Sequence, residues 1–199
     1  MGDEIEQNFI KLEIIKQKVF TAFADVTLGD GIGFWEANAI DDYLSSTDEK
    51  YIIAREKDER FDFTKVYNLT EESNFDYWYG PYYMDAKGLH FFLPNLLLIG
   101  CKDVMESVLL GIIKAEEPNY IALMNLLTLE HKKCIIEYLE YYVDYDDWVK
   151  FYIDYKGQEC NKCEKIHKPE SFTLEQAKAE VEKGDEYILL QKLKNYFNL

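Results

Sequence analysis

Apolar residues recur every three or four positions over most of the chain, which is the spacing of one face of an α-helix. The pattern is clearest over residues 3–26, 34–60, 94–115, 128–143 and 173–197. Polar residues, many of them Lys and Glu, stand between the apolar ones. The periodicity therefore predicts a mainly α fold, with a helix content above the ~30–35% typical of soluble domains.

One stretch departs from this pattern and favours strands. Tyr82-Tyr83-Met84-Asp85 and Leu89-His90-Phe91-Phe92-Leu93 flank the short sequence Ala86-Lys87-Gly88. A glycine in the third loop position suits the left-handed conformation of a three-residue hairpin turn. Pro94 then suits the first turn of the following helix. We expect a compact helical domain with one small antiparallel β-hairpin at this place.

The sequence also predicts how the chain is divided. It contains no internal repeat, low-complexity tract or flexible linker, so we expect residues 1–199 to form a single domain. Residues 156–171 are expected to form an excursion, and residues 172–199 a C-terminal helical pair. Ser46-Thr47-Asp48-Glu49 and Thr173-Leu174-Glu175-Gln176 have the capping-box pattern that begins a helix.

The net charge limits the classes of partner. The chain has 38 Asp and Glu residues against 22 Lys and Arg, a formal net charge of -16, and its arginines are Arg55 and Arg60. Small soluble domains carry a net charge of magnitude roughly 2–8. Nucleic-acid binding requires clustered Lys and Arg, so this class is excluded. Aromatic residues make up 16% of the chain, which indicates a folded protein rather than an acidic disordered tail.

The N-terminal sequence predicts a cytoplasmic protein. Met1-Gly2-Asp3-Glu4-Ile5-Glu6 has no basic segment followed by an apolar one, so it does not have the pattern of a signal peptide. The longest apolar stretch, near Leu89 to Gly100, is shorter than the roughly 20 residues that span a bilayer. The four cysteines are then expected to be reduced thiols or metal ligands.

Several stretches resemble one known family. They are FTAFADVTLGDGIG at 20–33, EANAIDDY at 36–43, DAKGLHFFLP at 85–94 and LLTLEHKKCIIEYL at 126–139. Together they are similar to an uncharacterised bacterial family known only as a domain of unknown function. The resemblance covers roughly residues 15–140, and the block of glycines and acids is its most specific part. It implies no activity, cofactor or catalytic residue.

A candidate metal site follows the resembling region. Two residues separate Cys160 from Cys163, and His167 follows them, a spacing that suits three ligands of one zinc ion. The alternative is a solvated loop with two unpaired thiols. Candidates for a fourth ligand are His131, Cys134, Cys101 and His90.

Acidic residues cluster around the glycines. They are Asp25, Asp30, Glu36, Asp41 and Asp42. Carboxylates that converge at a helix N-terminus are able to hold Mg²⁺ or Ca²⁺. The interpretation we favour is structural: Asp30 caps the second helix, and Asp41 bonds to backbone at the edge of a buried face.

Two classes of function remain. The first is a non-enzymatic acidic interaction protein that binds a basic protein partner, with an immunity- or antitoxin-like role as one form. Its expected partner-binding residues are Asp41, Asp42, Asp48 and Glu49. The alternative is a metal-dependent enzyme or a zinc-stabilised binding module. The sequence contains no recognisable catalytic arrangement, which favours the first class, and neither nucleic acid nor membrane is an expected partner.

Overall fold

The computed structural model describes residues 2–66, 80–99, 102–114, 116–144 and 173–199. The predicted mainly α fold is confirmed, since all regular structure in these ranges is helical. One further helical turn lies at 63–66. None of the described helices is both long enough and apolar enough to cross a bilayer. In chain order the helices are α1 (Gly2–Ala22), α2 (Phe34–Asp41), α3 (Glu49–Lys57), α4 (Gly80–Tyr83), α5 (Ala86–Ile99), α6 (Lys102–Lys114), α7 (Pro118–Leu126), α8 (Leu129–Asp144), α9 (Leu174–Val181) and α10 (Asp185–Phe197).

The predicted β-hairpin is wrong. The described residues contain no strand, and the stretch assigned to the hairpin forms α4 and α5. Pro94 lies inside α5 rather than in its first turn. The consecutive residues 91–97 are all buried, so α5 has little of the polar face that marks a surface helix in a sequence. Its apolar run therefore looks the same as that of a buried strand.

The second compact unit of the described structure comprises Lys16–Ile135. Within it α2 packs against α3 and α4, and α5 packs against α4, α6 and α7. Burial of large apolar side chains supplies the main stabilising free energy of such a unit. The largest fully buried side chains of this unit are Phe23, Leu28, Leu89, Phe92, Leu93, Leu96, Leu97, Met105, Leu109, Ile112, Leu123 and Ile135.

The first compact unit comprises Met1–Ile15 and Ile136–Leu199, so the division falls within α1 and α8. Lys11 pairs with Asp144 at 2.9 Å, and Lys194 pairs with Glu140 at 2.5 Å. α9 and α10 occupy the C-terminal stretch. The single domain at 1–199 stays a prediction, and the excursion at 156–171 lies outside the described residues. The apolar core of this unit includes Ile15, Tyr138, Leu139, Val143, Ala177, Val181, Leu189, Leu190, Leu193 and Phe197.

The two predicted capping boxes have different outcomes. At α9 the box is confirmed, because the Thr173 hydroxyl accepts from Gln176 N and the Gln176 side chain accepts from Thr173 N. At α3 it is wrong, because the N-cap residue is Asp48 rather than Ser46. The Asp48 carboxylate instead accepts a hydrogen bond from Ser45 N at 2.6 Å and so closes the turn that precedes the helix.

Candidate functional site

Two glycines of the family-like stretches, Gly33 and Gly88, are required by close packing. A Cβ atom on Gly33 would overlap the carboxylate of Asp58, and one on Gly88 would overlap the backbone carbonyl oxygen of Ile32. Neither contact leaves room for a side chain. These two glycines are therefore explained by the approach of protein groups, without any ligand.

Two carboxylates bond to residues 29–33, which we call the glycine loop, and to the helices α2 and α5. Asp58 accepts hydrogen bonds from Trp35 N at 2.7 Å and Glu36 N at 3.1 Å, so it satisfies the first turn of α2. Asp85, which directly precedes α5, accepts from Ile32 N at 3.0 Å and from Gly88 N in the first turn of α5 at 2.8 Å. The expectation that Asp30 caps α2 is wrong, because Asp58 has that role.

Burial and hydrogen bonding shift the pKa of Asp58 in opposite directions. The residue is only 8% exposed. Burial raises the pKa of the Asp58 carboxyl to about 6, although the N–H groups of Trp35 and Glu36 act in the opposite direction. Protonation of Asp58 therefore occurs near pH 6, well above the range of an ordinary aspartate.

A second buried carboxylate, that of Glu36, lies beside both arginines of the chain. Tyr51 donates a hydrogen bond of 2.5 Å to Glu36 Oε1. Arg55 Nη1 lies 3.5 Å from Oε1, and Arg60 Nη2 lies 3.9 Å from Oε2. The Glu36 side chain is only 3% exposed, so its charge is balanced from within the protein.

Arg60 also bonds directly to the glycine loop. Its Nη1 donates to the carbonyl oxygens of Gly29 at 2.8 Å and Gly31 at 3.3 Å. The groove beside it has a volume of about 580 Å³. Residues of both charges line it, among them Arg55, Arg60, Asp30 and Glu56, so it has no strong preference for ligands of one charge. The contacts of the two arginines with Glu36 and with the glycine loop stabilise the fold, and they need no ligand to account for them.

The acidic cluster of the sequence is dispersed in the structure. Asp30 pairs with Lys87, and that hydrogen bond lowers the pKa of Asp30. Asp41 accepts a hydrogen bond from the Tyr83 hydroxyl, and this bond raises the pKa of Tyr83. Glu36 is buried, while Asp25 and Asp42 are exposed. Among the described residues, no three His, Cys, Asp or Glu side chains form a group that could hold a metal ion.

The predicted zinc ligands Cys160, Cys163 and His167 lie outside the described residues. Of the candidates for a fourth ligand, His131 and Cys134 are buried in α8. His90 lies next to His131, with His90 Nε2 and His131 Nδ1 3.2 Å apart.

The connection between α2 and α3 carries side chains that folding does not use. At the end of α2, Tyr43 N donates to Ile40 O at 2.9 Å and Leu44 N donates to Ala39 O at 3.0 Å. This pair of bonds is the Schellman motif, whose left-handed residue is usually glycine. Here that residue is Tyr43, with φ of 59°, and it is 94% exposed.

The residues predicted to bind a partner surround Tyr43 in the sequence. Asp42 and Glu49 are exposed and lie at the two ends of the connection. Asp41 and Asp48 lie in the same segment, but their carboxylates bond to Tyr83 and Ser45 N. We call residues 41–49 the α2–α3 patch. Along the sequence it combines an exposed tyrosine with exposed acidic residues, which are residue types suited to cationic side chains.

A family model, Family of unknown function (DUF6714), matches residues 11–156. The chain belongs to this family. The resemblance inferred from the sequence is thereby confirmed, and the matched range includes the glycine loop and the α2–α3 patch. The family carries no assigned activity. No curated protein and no solved structure matches the chain.

Sequence reasoning missed Asp58, Asp85 and Tyr43. Asp58 has no local signal, because the N–H groups that it caps are more than 20 residues away along the chain. The sequence pattern predicts Asp85 in a strand, whereas the residue lies directly before the start of α5. For Tyr43 a signal exists: a large aromatic residue follows two acids where the helical pattern of α2 ends.

Proposed function

We propose that this chain is a non-enzymatic interaction protein that binds a basic protein partner through the α2–α3 patch. The observation that carries the proposal is Tyr43, whose ring is 94% exposed and whose backbone has the left-handed conformation. The proposal includes a cytoplasmic location. A protein that neutralises a basic toxin is one member of this class.

Tyr43 contributes little to the stability of its own fold. A residue with a Cβ atom in the left-handed conformation costs roughly 1–2 kcal/mol, and glycine avoids this cost. Because the ring of Tyr43 is almost fully exposed, its burial returns almost none of that free energy. A tyrosine at this position therefore favours a role in recognition, where tyrosine is enriched among the residues that dominate binding.

The charge around Tyr43 indicates the chemistry of the partner. Asp42 precedes the tyrosine directly, Glu49 begins the next helix, and the whole chain has a net charge of -16. A lysine or arginine of a partner can contact the face of the ring and a carboxylate together. The long-range field of an acidic protein also speeds its encounter with a basic one.

The test uses two charge variants with the same net charge. Asp42→Asn with Glu49→Gln changes the patch and leaves the bonded carboxylates of Asp41 and Asp48 in place. Glu116→Gln with Glu182→Gln is the matched control, since both residues are exposed and outside the patch. Each double variant has a formal net charge of -14, two units from the wild-type value of -16. Tyr43→Ala removes the ring.

Immobilised wild type and variants are used to capture proteins from a lysate of the source cell, and the captured basic proteins are identified by mass spectrometry. We expect a basic protein that the wild type and the control retain and Tyr43→Ala loses. Loss of a tyrosine hot spot weakens affinity by about 2 kcal/mol, roughly thirtyfold. With the purified partner, the patch double variant should associate severalfold more slowly than the control at low salt.

Two results would contradict the proposal. One is that every basic protein captured by the wild type is captured equally by Tyr43→Ala. The other is an association rate that is the same for the two double variants and does not change between about 0.05 and 0.5 M salt, a range over which screening increases strongly. Either result would make the acidity a general property of the surface.

A further inference from the structure

His90 of α5 and His131 of α8 meet inside the Lys16–Ile135 unit. His90 Nε2 lies 3.2 Å from His131 Nδ1, and Thr128 N lies 3.3 Å from the same His131 atom. The other ring nitrogen, His131 Nε2, lies 2.9 Å from the carbonyl oxygen of Ala22, the last residue of α1. The ring of Phe23 stacks on that of His131, with centroids 4.1 Å apart.

These neighbours determine where the protons are. The Ala22 carbonyl oxygen only accepts, so His131 Nε2 carries a hydrogen and donates it. Thr128 N only donates, so His131 Nδ1 is unprotonated and accepts. His90 Nε2 must then carry the hydrogen that it donates to His131 Nδ1. Both rings are neutral, each with its hydrogen on Nε2.

We propose that the His90–His131 pair is an acid-sensitive junction whose protonation releases the end of α1 from α8. A proton on His131 Nδ1 removes the lone pair that accepts from both Thr128 N and His90 Nε2. The new N–H group then points toward these two N–H groups, and none of the three has an acceptor. The positive charge on His131 is also unfavourable because the residue is buried, with only 4% of its surface exposed. The Ala22–Phe23 segment bonds to and stacks on this same ring, so it is the first segment to be released.

The surroundings of the two histidines favour their neutral forms, which supports this proposal. Burial, and next the charge of His131, lower the pKa of His90 to about 4. Burial lowers the pKa of His131, and the hydrogen bond to Ala22 opposes this. Ala22 and Phe23 from α1, and Thr128 from the start of α8, carry no charge. Among the described residues no carboxylate acts on either histidine to stabilise its charged form.

The direction of the pH effect follows from proton binding. Unfolded histidine titrates near its ordinary value of 6.5, whereas His90 in the folded protein titrates at about 4. Between these values the unfolded chain binds more protons, so stability is complete above pH 6.5 and is lost as the pH falls toward 4. Asp58 acts oppositely, because its raised pKa favours the folded state as the pH falls through 6. The histidine effect must therefore be isolated by comparison of variants.

The first experiment is NMR of the full chain with ¹⁵N-labelled histidine. We expect His90 and His131 to be Nε2–H tautomers at pH 7, and His90 to remain neutral at pH 6, where an ordinary histidine is mostly charged. Below that pH, amide hydrogen exchange at Phe23 and Val26 should accelerate before exchange in the rest of the unit. An Nδ1–H tautomer of His131, or titration of both rings near 6.5, would overturn the proposal.

The second experiment compares unfolding by urea from pH 8 to 4.5. His90→Gln keeps a donor toward His131 and removes one titrating group, while Glu116→Gln, at an exposed residue that has no part in the pair, is the control. The unfolding equilibrium constant of the wild type should rise, relative to that of His90→Gln, by up to about tenfold per pH unit below 6.5. The control should follow the wild type. Equal pH profiles for wild type and His90→Gln would contradict the proposal.

Discussion

The glycine loop and the α2–α3 patch are separated in the sequence only by α2, yet the fold uses their polar groups in opposite ways. Around the loop, the carboxylates of Asp58 and Asp85 accept backbone hydrogen bonds, and glycine is required where the chain approaches them. In the patch, Tyr43 is almost fully exposed and Asp42 and Glu49 face solvent. An acidic block in a sequence is therefore not one site, because burial separates its members.

A buried carboxylate and an exposed carboxylate also have different effects on this protein. The Glu36 carboxylate lies inside the protein and contacts Tyr51 and two guanidinium groups. Removal of this buried charge therefore changes the stability of the fold. The carboxylates of Asp42 and Glu49 are exposed, and their removal changes the electrostatic field at the surface rather than the stability of the fold.

The largest expected effect is at the buried charge. Glu36→Gln should lower the free energy of unfolding by about 3 kcal/mol, because it leaves Arg55 and Arg60 without the charge they face. Urea unfolding at pH 7 measures this change. Asp42→Asn is the matched control, with an expected change within about 0.5 kcal/mol. Equal losses in the two variants would remove the distinction between the interior and the patch.

The next effect concerns the packing of the glycine loop. Gly88→Ala should lower the free energy of unfolding by about 2 kcal/mol, because the new Cβ meets the Ile32 carbonyl oxygen and the backbone must move. Gly29→Ala is the comparison: no atom lies within 4 Å of its Cβ position, and only its φ of 59° opposes alanine. Its expected loss is about 1 kcal/mol. A larger loss for Gly29→Ala than for Gly88→Ala would contradict the packing argument.

The smallest expected effect is a gain in stability, at Tyr43. Tyr43→Gly should raise the free energy of unfolding by up to about 1 kcal/mol, because glycine adopts the left-handed conformation without strain. Tyr43→Ala keeps the strain and should change stability by less than about 0.5 kcal/mol, since the ring buries little surface. Thermal and urea unfolding measure both. A clear loss of stability in Tyr43→Ala would show that the ring supports the fold.

The mainly α fold could be predicted because most helices have one polar face, and that face leaves a period in the sequence. The cap of α9 was also predictable, since Thr173 and Gln176 bond to each other within one turn. α5 could not be identified in this way, because residues 91–97 are buried on all sides and leave no such period.

The sequence by itself determined the helical class, the family and the excess of negative charge, since each depends on composition or on residues close together in the chain. Only the tertiary structure decided which acids are buried. The cap of α2 comes from Asp58, and the meeting of His90 with His131 joins helices that are distant along the chain. Such contacts depend on how the helices pack. Helical periodicity shows which face of a helix is buried, but it does not show which other helix packs against that face.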